Sequence, residues 1–355
     1  MKKSVRCGNV LIGGGAPVSI QSMTNVDTRD VRRVTDQIKA LTEAGCQIVR
    51  LAVPDMEAAE AFSHVKKNVD LPLVADIHFD YRLALAAIKN GADKVRINPG
   101  NIGSVDRVKA VVKAAREREI PIRIGVNSGS LEKDILEKQG GVTAEGLAES
   151  ALRNVRLLED MDFDDIVISL KSSDVRLNYE AHKLMHKKTE HPIHIGITES
   201  GTVNSGKLKS AIGIGALLLE GIGDTMRVSL TGDPVNEVIF AREILKSIGM
   251  RPSGINLVSC PTCGRTKVNL EKIALQIEEA LKGMELQREE EGLPPITVAV
   301  MGCAVNGPGE AKEADFGVAG GDGKGILFAK GQILKTVSED KIVEELIYLI
   351  KSNEA

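Results

Sequence analysis

The sequence predicts an α/β fold in which a (β/α)8 TIM barrel is followed by a smaller α+β domain. From Val18 to about Gly249, eight short runs rich in β-branched residues alternate with stretches of helical periodicity. After Gly249 the alternation stops, and a cysteine pair, several short Gly-rich strands and a last helix follow. We therefore place a barrel domain at 1–250 and a second domain at 251–355.

The eight predicted strands are spaced so that one helix fits between each pair. The strands are Val18–Met23, Ile48–Val53, Leu73–His78, Lys94–Pro99, Pro121–Val126, Asp165–Leu170, Ile193–Thr198 and Met226–Thr231. Amphipathic stretches between them include Val31–Ala44, Tyr81–Asn90, Asp106–Glu119, Glu145–Glu159 and Val235–Ser247. Eight such units predict a closed barrel, and the alternative is a doubly wound open sheet.

The rest of the chain predicts a compact α+β domain. Arg-Pro-Ser-Gly at 251–254 is typical of a linker. Helices are expected near Leu270–Gly283 and at Glu339–Ser352. The strands expected between them are Thr297–Met301, Phe316–Ala319, Ile326–Ala329 and Ile333–Val337.

Composition argues against several classes of protein. The chain has 46 basic and 49 acidic residues, a net charge of −3, which argues against a general nucleic-acid binder. No apolar run approaches the roughly 20 residues that span a bilayer, and no apolar segment follows the basic N-terminus as in a signal peptide. Five cysteines in 355 residues do not make a disulfide framework. We therefore expect a cytoplasmic protein without a membrane or nucleic-acid partner.

Three cysteines of the second domain form a candidate metal site. Cys260 and Cys263 make a C-x2-C pair, and Cys303 lies in a later Gly-rich stretch. Structural zinc usually takes four Cys or His ligands, but every histidine lies at or before His194 and the domain has no fourth cysteine. An iron–sulfur cluster is therefore favoured, because the glycine-rich loop offers amides to cluster sulfurs. Structural zinc and unligated or thioredoxin-like thiols remain alternatives, and Cys46 is expected in the core.

Polar side chains gather at the carboxyl ends of the predicted barrel strands, where barrel enzymes place their active sites. In chain order they are Arg50, Asp76, His78, Arg96, Arg123, Asn127, Lys171, Glu199, Arg227 and Ser229. Because unpaired charges are costly to bury, this excess of cations predicts an anionic ligand with more than one charge. Arg binds phosphate oxygens in pairs, which favours a diphosphate or bisphosphate. For single residues, structural ion pairs at the rim are the alternative.

Two of these residues offer chemistry beyond binding. Glu199 follows the seventh strand and is expected to donate or accept a proton, unless it only orients Lys171 or Arg227. Lys171 offers a rival chemistry, a Schiff base as in barrel aldolases. The residues alone thus leave two other functions open. One is a phosphosugar aldolase or isomerase with a structural metal domain, and the other is a metal or redox sensor.

Four motifs carry a resemblance to one family. They are Val-Arg-Ile-Asn-Pro-Gly-Asn at 95–101, Ile-Gly-Val-Asn-Ser-Gly-Ser-Leu at 124–131, Cys-Pro-Thr-Cys-Gly-Arg at 260–265 and Met-Gly-Cys-Ala-Val-Asn-Gly-Pro-Gly-Glu at 301–310. Together they resemble the 4-hydroxy-3-methylbut-2-enyl diphosphate synthases of the methylerythritol phosphate route to isoprenoids. The resemblance covers essentially the whole chain, in the compact bacterial form without an extra middle domain.

The resemblance implies a [4Fe-4S] cluster with four protein ligands, Cys260, Cys263, Cys303 and Glu310. It implies reductive ring opening and dehydroxylation of 2-C-methyl-D-erythritol 2,4-cyclodiphosphate, with two electrons delivered singly by ferredoxin or flavodoxin. Substrate is expected to displace Glu310, and Glu199 to supply a proton near the departing hydroxyl. The other polar residues at the strand ends, Asp76 and His78 included, are expected to bind substrate. The family resemblance also implies a homodimer.

Overall fold

The first of two compact units is a closed eight-stranded barrel, as the sequence predicted. The computed structural model describes residues 2–251, 254–303 and 312–353, and the boundary between the units lies between Met250 and Arg251. Parallel strands follow one another around the barrel in the order β10-β3-β4-β5-β6-β7-β8-β9. They are β3 (Ser19–Met23), β4 (Ile48–Ala52), β5 (Leu73–Asp76), β6 (Lys94–Ile97), β7 (Ile122–Asn127), β8 (Ile166–Lys171), β9 (Ile193–Ile195) and β10 (Thr225–Met226).

Helices surround the barrel and bury their apolar faces against the outer side of the strands. Several begin at a side chain that accepts a backbone N–H of the first turn: Asp30, Asp55, Asp80, Thr143 and Asp174. The helices are α1 (Val31–Glu43), α2 (Met56–Lys66), α3 (Tyr81–Lys89), α4 (Pro99–Ile102), α5 (Val105–Glu117), α6 (Lys133–Gln139), α7 (Ala144–Glu159), α8 (Val175–Lys188), α9 (Val203–Leu219) and α10 (Val235–Ser247).

Several barrel strands end earlier than the sequence predicted. β6 was expected to run through Pro99, but it stops at Ile97. There Asn98 Oδ1 accepts a hydrogen bond from Gly100 N and starts the short helix α4. β5, β9 and β10 likewise end two to five residues early. The β-branched pattern continues past the last paired residue, so it does not mark where a strand ends.

An N-terminal hairpin, which the sequence did not reveal, closes one end of the barrel. β1 (Ser4–Cys7) and β2 (Val10–Gly13) pair antiparallel. Their buried side chains pack with inward-facing residues near the start of three barrel strands. We call this apolar cluster the floor; its buried members are Val5, Cys7, Ile12, Ile48, Val74 and Val167. Lys3, just before the hairpin, forms an ion pair with Asp164, with Nζ 2.7 Å from Oδ1.

The second unit is a five-stranded mixed sheet with two helices packed on it. The first three strands are parallel, and the last two add antiparallel neighbours. The four predicted strands and both helices are present, and β11 is an addition that the sequence did not suggest. The elements are β11 (Ile255–Ser259), α11 (Leu270–Glu290), β12 (Ile296–Met301), β13 (Phe316–Gly321), β14 (Lys324–Ala329), β15 (Gln332–Ser338) and α12 (Ile342–Ser352). Among the described helices of the chain, none is both long and apolar enough to cross a membrane.

Candidate functional site

The inside of the barrel is polar, whereas branched apolar side chains usually fill such barrels. Alternate residues of each strand face inward, and the outward residues, such as Val49, Leu51 and Val95, belong to the apolar core under the helices. We call the inward polar set the polar lumen. Its members are Ser19, Gln21, Arg50, Asp76, Lys94, Arg96, Arg123, Ser169, Lys171, His194, Thr225 and Arg227.

The sequence suggested that Arg123 lies at the carboxyl end of a strand, but it lies near the start of one. It is the second residue of β7 and sits beside Val167, which belongs to the floor. Its side chain is 1% exposed, and Nη1 donates to Gln21 Oε1 at 3.4 Å. The predicted cations therefore extend down into the lumen and do not form a single ring at the rim. The reason is that the interior of this barrel is polar along much of its depth.

Asp76 offsets part of the positive charge at the middle of the lumen. Its two carboxylate oxygens lie 3.2 Å from Arg96 Nη1 and 3.7 Å from Arg50 Nε. His78 Nε2 approaches to 3.5 Å from the exposed side. Burial alone would raise the pKa of Asp76, but Arg50, His78 and Arg96 outweigh it and hold the pKa well below its ordinary value. Asp76 thus stays ionised and holds two arginines side by side.

A second carboxylate, Glu237 of α10, fixes Arg227. Arg227 Nε and Nη2 each donate to one Glu237 oxygen at 3.0 Å, which is a bidentate pair. Glu237 is 3% exposed and also accepts from Ser22 Oγ at 2.9 Å and from Leu230 N at 3.1 Å. Glu237 was not among the predicted site residues, and Glu199 was considered as the partner of Arg227. The signal available in the sequence was a glutamate on the otherwise apolar buried face of α10.

Two glycines make room for the long cations. A Cβ on Gly125 would lie 2.3 Å from Arg96 Nε, so the guanidinium packs directly on the backbone of β7. A Cβ on Gly196 would lie 3.3 Å from Lys171 Nζ and 2.6 Å from Arg227 O. Both positions face the lumen, where a side chain would displace a cation. Substitution there is expected to change the site more than the fold.

Lys171 is buried, and the four described side chains that act on its amine most strongly are all arginines. It ends β8 beside Asn127 of β7, the other predicted ligand residue at this level. Burial, followed by the charges of Arg50 and Arg227, places the pKa of Lys171 well below its ordinary value. A nearby anion would reverse this effect, because it stabilises the protonated amine. The electrostatics of the lumen therefore favour a ligand of negative charge.

Glu199 lies at the mouth of the barrel and is exposed. Its φ of 50° is in the left-handed region, which a non-glycine residue seldom adopts and which recurs at functional sites. It lines an open cavity of ≈ 730 Å³ together with Arg227 and Ser229. The structure therefore brings Glu199 next to two of the predicted ligand residues.

The predicted metal ligands of the second unit lie where two neighbouring parallel strands end. Cys260 follows β11 and Cys303 follows β12 by two residues. The backbone joins their loops: Gly302 N donates to Cys260 Sγ at 3.1 Å, and Lys267 N donates to Gly302 O at 3.1 Å. All three cysteines are free thiols. Glu310, the fourth predicted ligand, lies outside the described residues.

These thiols fit an iron–sulfur cluster in their chemistry. A backbone N–H already points at the Cys260 sulfur, which is how proteins commonly hold cluster thiolates. The backbone amide of Arg265 and the hydroxyl of Thr266 lower the pKa of Cys263, which favours the thiolate that binds metal. Cys46, by contrast, is 3% exposed in the barrel core, as expected, and burial raises its pKa to about 11.

Comparison with known proteins covers both units. Residues 2–242 match the family model described as the GcpE TIM-barrel domain, and residues 256–352 match the GcpE protein C-terminal domain. A relative from Caldanaerobacter subterraneus subsp. tengcongensis is 57% identical over 347 residues, covering 98% of this chain and 96% of its own. One from Ruminiclostridium cellulolyticum is 58% identical over 345 residues, covering 97% of this chain and 96% of its own. Both are named 4-hydroxy-3-methylbut-2-en-1-yl diphosphate synthase (flavodoxin).

Among solved structures, dihydropteroate synthase from Stenotrophomonas maltophilia has a TM-score of 0.52 at 13% identity. The match covers 69% of this chain and 96% of that one, and it shows the fold alone. The family models and the relatives together confirm the resemblance that the four motifs carried. The chain belongs to the GcpE family.

Proposed function

We propose that this protein converts 2-C-methyl-D-erythritol 2,4-cyclodiphosphate to 4-hydroxy-3-methylbut-2-enyl diphosphate by a two-electron reduction. Two relatives that align with this chain over 96% of their own length carry the name of that enzyme. The observation in the structure that supports it most is the charge of the polar lumen. Six cationic side chains face two buried carboxylates among the described residues: Arg50, Lys94, Arg96, Arg123, Lys171 and Arg227 against Asp76 and Glu237. That excess suits a diphosphate.

The binding set in this proposal includes the predicted residues of the lumen and its mouth. Arg50, Arg96 and Arg227 are held in place by carboxylates, so they reach a ligand without first losing much side-chain freedom. Asn127, which ends β7, and Ser229, which follows β10 by three residues, add uncharged hydrogen-bonding groups. His78, which is largely exposed beside Asp76, completes the edge of the site.

Glu199 is the proton donor or acceptor in this proposal. It is exposed on the wall of the cavity that also contains Arg227 and Ser229. The substrate hydroxyl leaves as water, which requires a proton at that oxygen.

The [4Fe-4S] cluster of this proposal is bound by Cys260, Cys263, Cys303 and Glu310. When bound, such a cluster supplies single electrons and an iron that acts as a Lewis acid. The chain contributes two loops joined by backbone hydrogen bonds, and an N–H that stabilises charge on the Cys260 sulfur. The electrons are delivered by flavodoxin or ferredoxin. Flavodoxin is part of the name of both relatives. We further propose that the protein works as a homodimer in the cytoplasm.

Anaerobic purification followed by a turnover assay tests the proposal. We expect a brown protein with about four irons per chain that bleaches in air. It should consume the cyclic diphosphate with reduced flavodoxin, and analytical ultracentrifugation should give twice the chain mass. A Cys263→Ser variant should lose iron, whereas Cys46→Ala, a core cysteine, should keep it. A colourless zinc protein, or no turnover by an iron-loaded one, would contradict the proposal.

A further inference from the structure

We propose that Lys94 is a positioning residue for the diphosphate. The charge on its Nζ lies beneath the arginines that bind the ligand and draws the anion into the lumen, while it destabilises the empty protein. The inference rests on the proposed function, because the diphosphate is the ligand that it concerns. It assigns a role to Lys94, which was not among the predicted site residues.

Register places Lys94 at the bottom of the polar lumen. It is the first residue of β6, faces inward, and precedes Arg96 by two residues on the same side of the strand. Its neighbour on β5 is Val74, a member of the floor. The side chain is fully buried, with 0% exposure. Lys94 therefore lies one layer below Arg96, on the side away from the barrel mouth.

The groups that act most strongly on Lys94 among the described residues include no carboxylate. Its Nζ has no oxygen acceptor within hydrogen-bond distance there, and the Cys7 thiol is the group that interacts with it most. The ionisable groups around it are Cys7 of β1, Arg50 of β4, Arg123 of β7 and His194 of β9. Cys7 could carry negative charge, but burial raises the pKa of its thiol. Asp93, which precedes Lys94 and also acts on Cys7, has its carboxylate 2.5 Å from Lys66 Nζ. The groups that act most on Lys94 are thus the Cys7 thiol and two arginines.

A fully buried ammonium without a partner opposes folding, because its desolvation is not repaid by an ion pair. A structural lysine would instead have an acceptor for its Nζ. A ligand of two or more negative charges in the lumen supplies the missing counter-charge. Coulomb energy falls only as the inverse of distance, so Lys94 acts on the anion without touching it. The same charge that weakens the empty protein then strengthens binding.

The protonation of Lys94 supports this role. Burial lowers its pKa to about 8, with Cys7 acting in the opposite direction and Arg123 adding to the decrease. Near pH 8 a fraction of the empty protein therefore carries a neutral Lys94. An anion in the lumen raises the pKa again, so binding takes up protons. This uptake is a signature that a purely structural lysine would not give.

The test compares the full-length, anaerobically purified protein with a Lys94→Met variant, which keeps the length of the side chain and removes the charge. Calorimetry at pH 8 measures the Kd for the cyclic diphosphate and, separately, for inorganic pyrophosphate, in two buffers of different ionisation enthalpy. We expect the variant to bind both about tenfold more weakly, which is ~1.4 kcal/mol, and to take up fewer protons. Without ligand, its Tm should rise by about 2–4 °C.

Two controls separate charge from packing. Lys109→Met removes an exposed lysine of α5 and should change neither Kd nor Tm. Val5→Ala alters the packing of the floor but keeps the Lys94 charge, so its Kd should stay near the wild-type value. The inference fails if Lys94→Met binds as tightly as wild type, or if it loses stability or soluble yield. Wild-type protein that binds pyrophosphate but ignores the cyclic diphosphate would instead contradict the proposed function.

Discussion

Arg227 and Glu237 form a bidentate ion pair that connects the last barrel strand to the helix that follows it. Both are nearly buried, and the carboxylate is completed by Ser22 Oγ and Leu230 N. The pair fixes the direction of the guanidinium, so Glu237 acts on a ligand through Arg227. A residue in the first turn of α10 thus shapes the site at the barrel mouth.

Glu237→Gln should weaken substrate binding more than turnover. The amide keeps the shape of the side chain but cannot offset the Arg227 charge. We expect KM to rise about tenfold and the free energy of unfolding to fall by about 3 kcal/mol, because one partner of a buried pair is lost. Steady-state kinetics and urea unfolding measure both. Glu243→Gln, on the exposed side of the same helix, is the control. A variant with reduced kcat and unchanged KM would contradict this role.

Asp76→Asn should destabilise the protein at neutral pH and lose that effect in acid. The pKa of Asp76 is lowered in the folded state, so ionised Asp76 stabilises the protein above the carboxyl's ordinary pKa of 3.8. That stabilisation disappears as the pH falls below about 4. We expect a difference of about 3 kcal/mol between variant and wild type from pH 5 to pH 8 that shrinks below pH 4. Urea unfolding across pH measures it.

Asp106→Asn, an exposed aspartate of α5, is the matched control for Asp76→Asn and should leave the pH profile unchanged. A wild-type stability curve that runs parallel to the Asp76→Asn curve down to pH 3 would show that Asp76 is not the titrating group. The test therefore needs both variants over the whole pH range.

Gly125→Ala should displace Arg96 without unfolding the barrel. The new methyl group would lie 2.3 Å from Arg96 Nε, closer than any van der Waals contact allows, and a flexible side chain gives way before a strand does. We expect KM to rise about tenfold and Tm to change by less than about 3 °C. Gly215→Ala, in open space on α9, controls for the substitution itself. A normal KM would mean that Arg96 reaches the ligand from another rotamer.

Glu199→Gln should reduce kcat and leave binding intact. The amide occupies the same space, but it cannot transfer a proton, and general acid–base groups commonly contribute 10²–10⁴-fold. We expect kcat to fall by at least about 100-fold and the Kd for substrate to stay within about threefold. Glu145→Gln, on the exposed surface of α7, should behave as wild type. Full turnover by Glu199→Gln would remove this residue from the chemistry.

The sequence was a good guide to the barrel because eight runs of β-branched residues mark eight strands. It was a poor guide to where strands end, since Asn98 caps a helix at a point where the strand pattern still continues. It also missed the hairpin of Ser4–Gly13, whose two short strands bury few residues of their own and depend on packing against the barrel. Such long-range packing leaves no local pattern.

The candidate site was predicted through the residue types at the strand ends, and the depth of the polar lumen was not. Lys94 and Arg96 lie two residues apart on one strand, so the period of two already placed Lys94 on the inner side. Its significance depends on the floor that closes beneath it, which only the structure reveals. Glu237 was missed for a similar reason, because a single glutamate on a helix is usually exposed.

The hairpin that forms the floor leaves the lumen with one usable end. Ligand, product and the water that they displace must all pass the carboxyl ends of the strands, where Glu199 and Ser229 lie. Product cannot depart while a new substrate is entering, so the two compete for a single passage. If the diphosphate product is bound tightly, its release through this single opening would limit the rate of turnover.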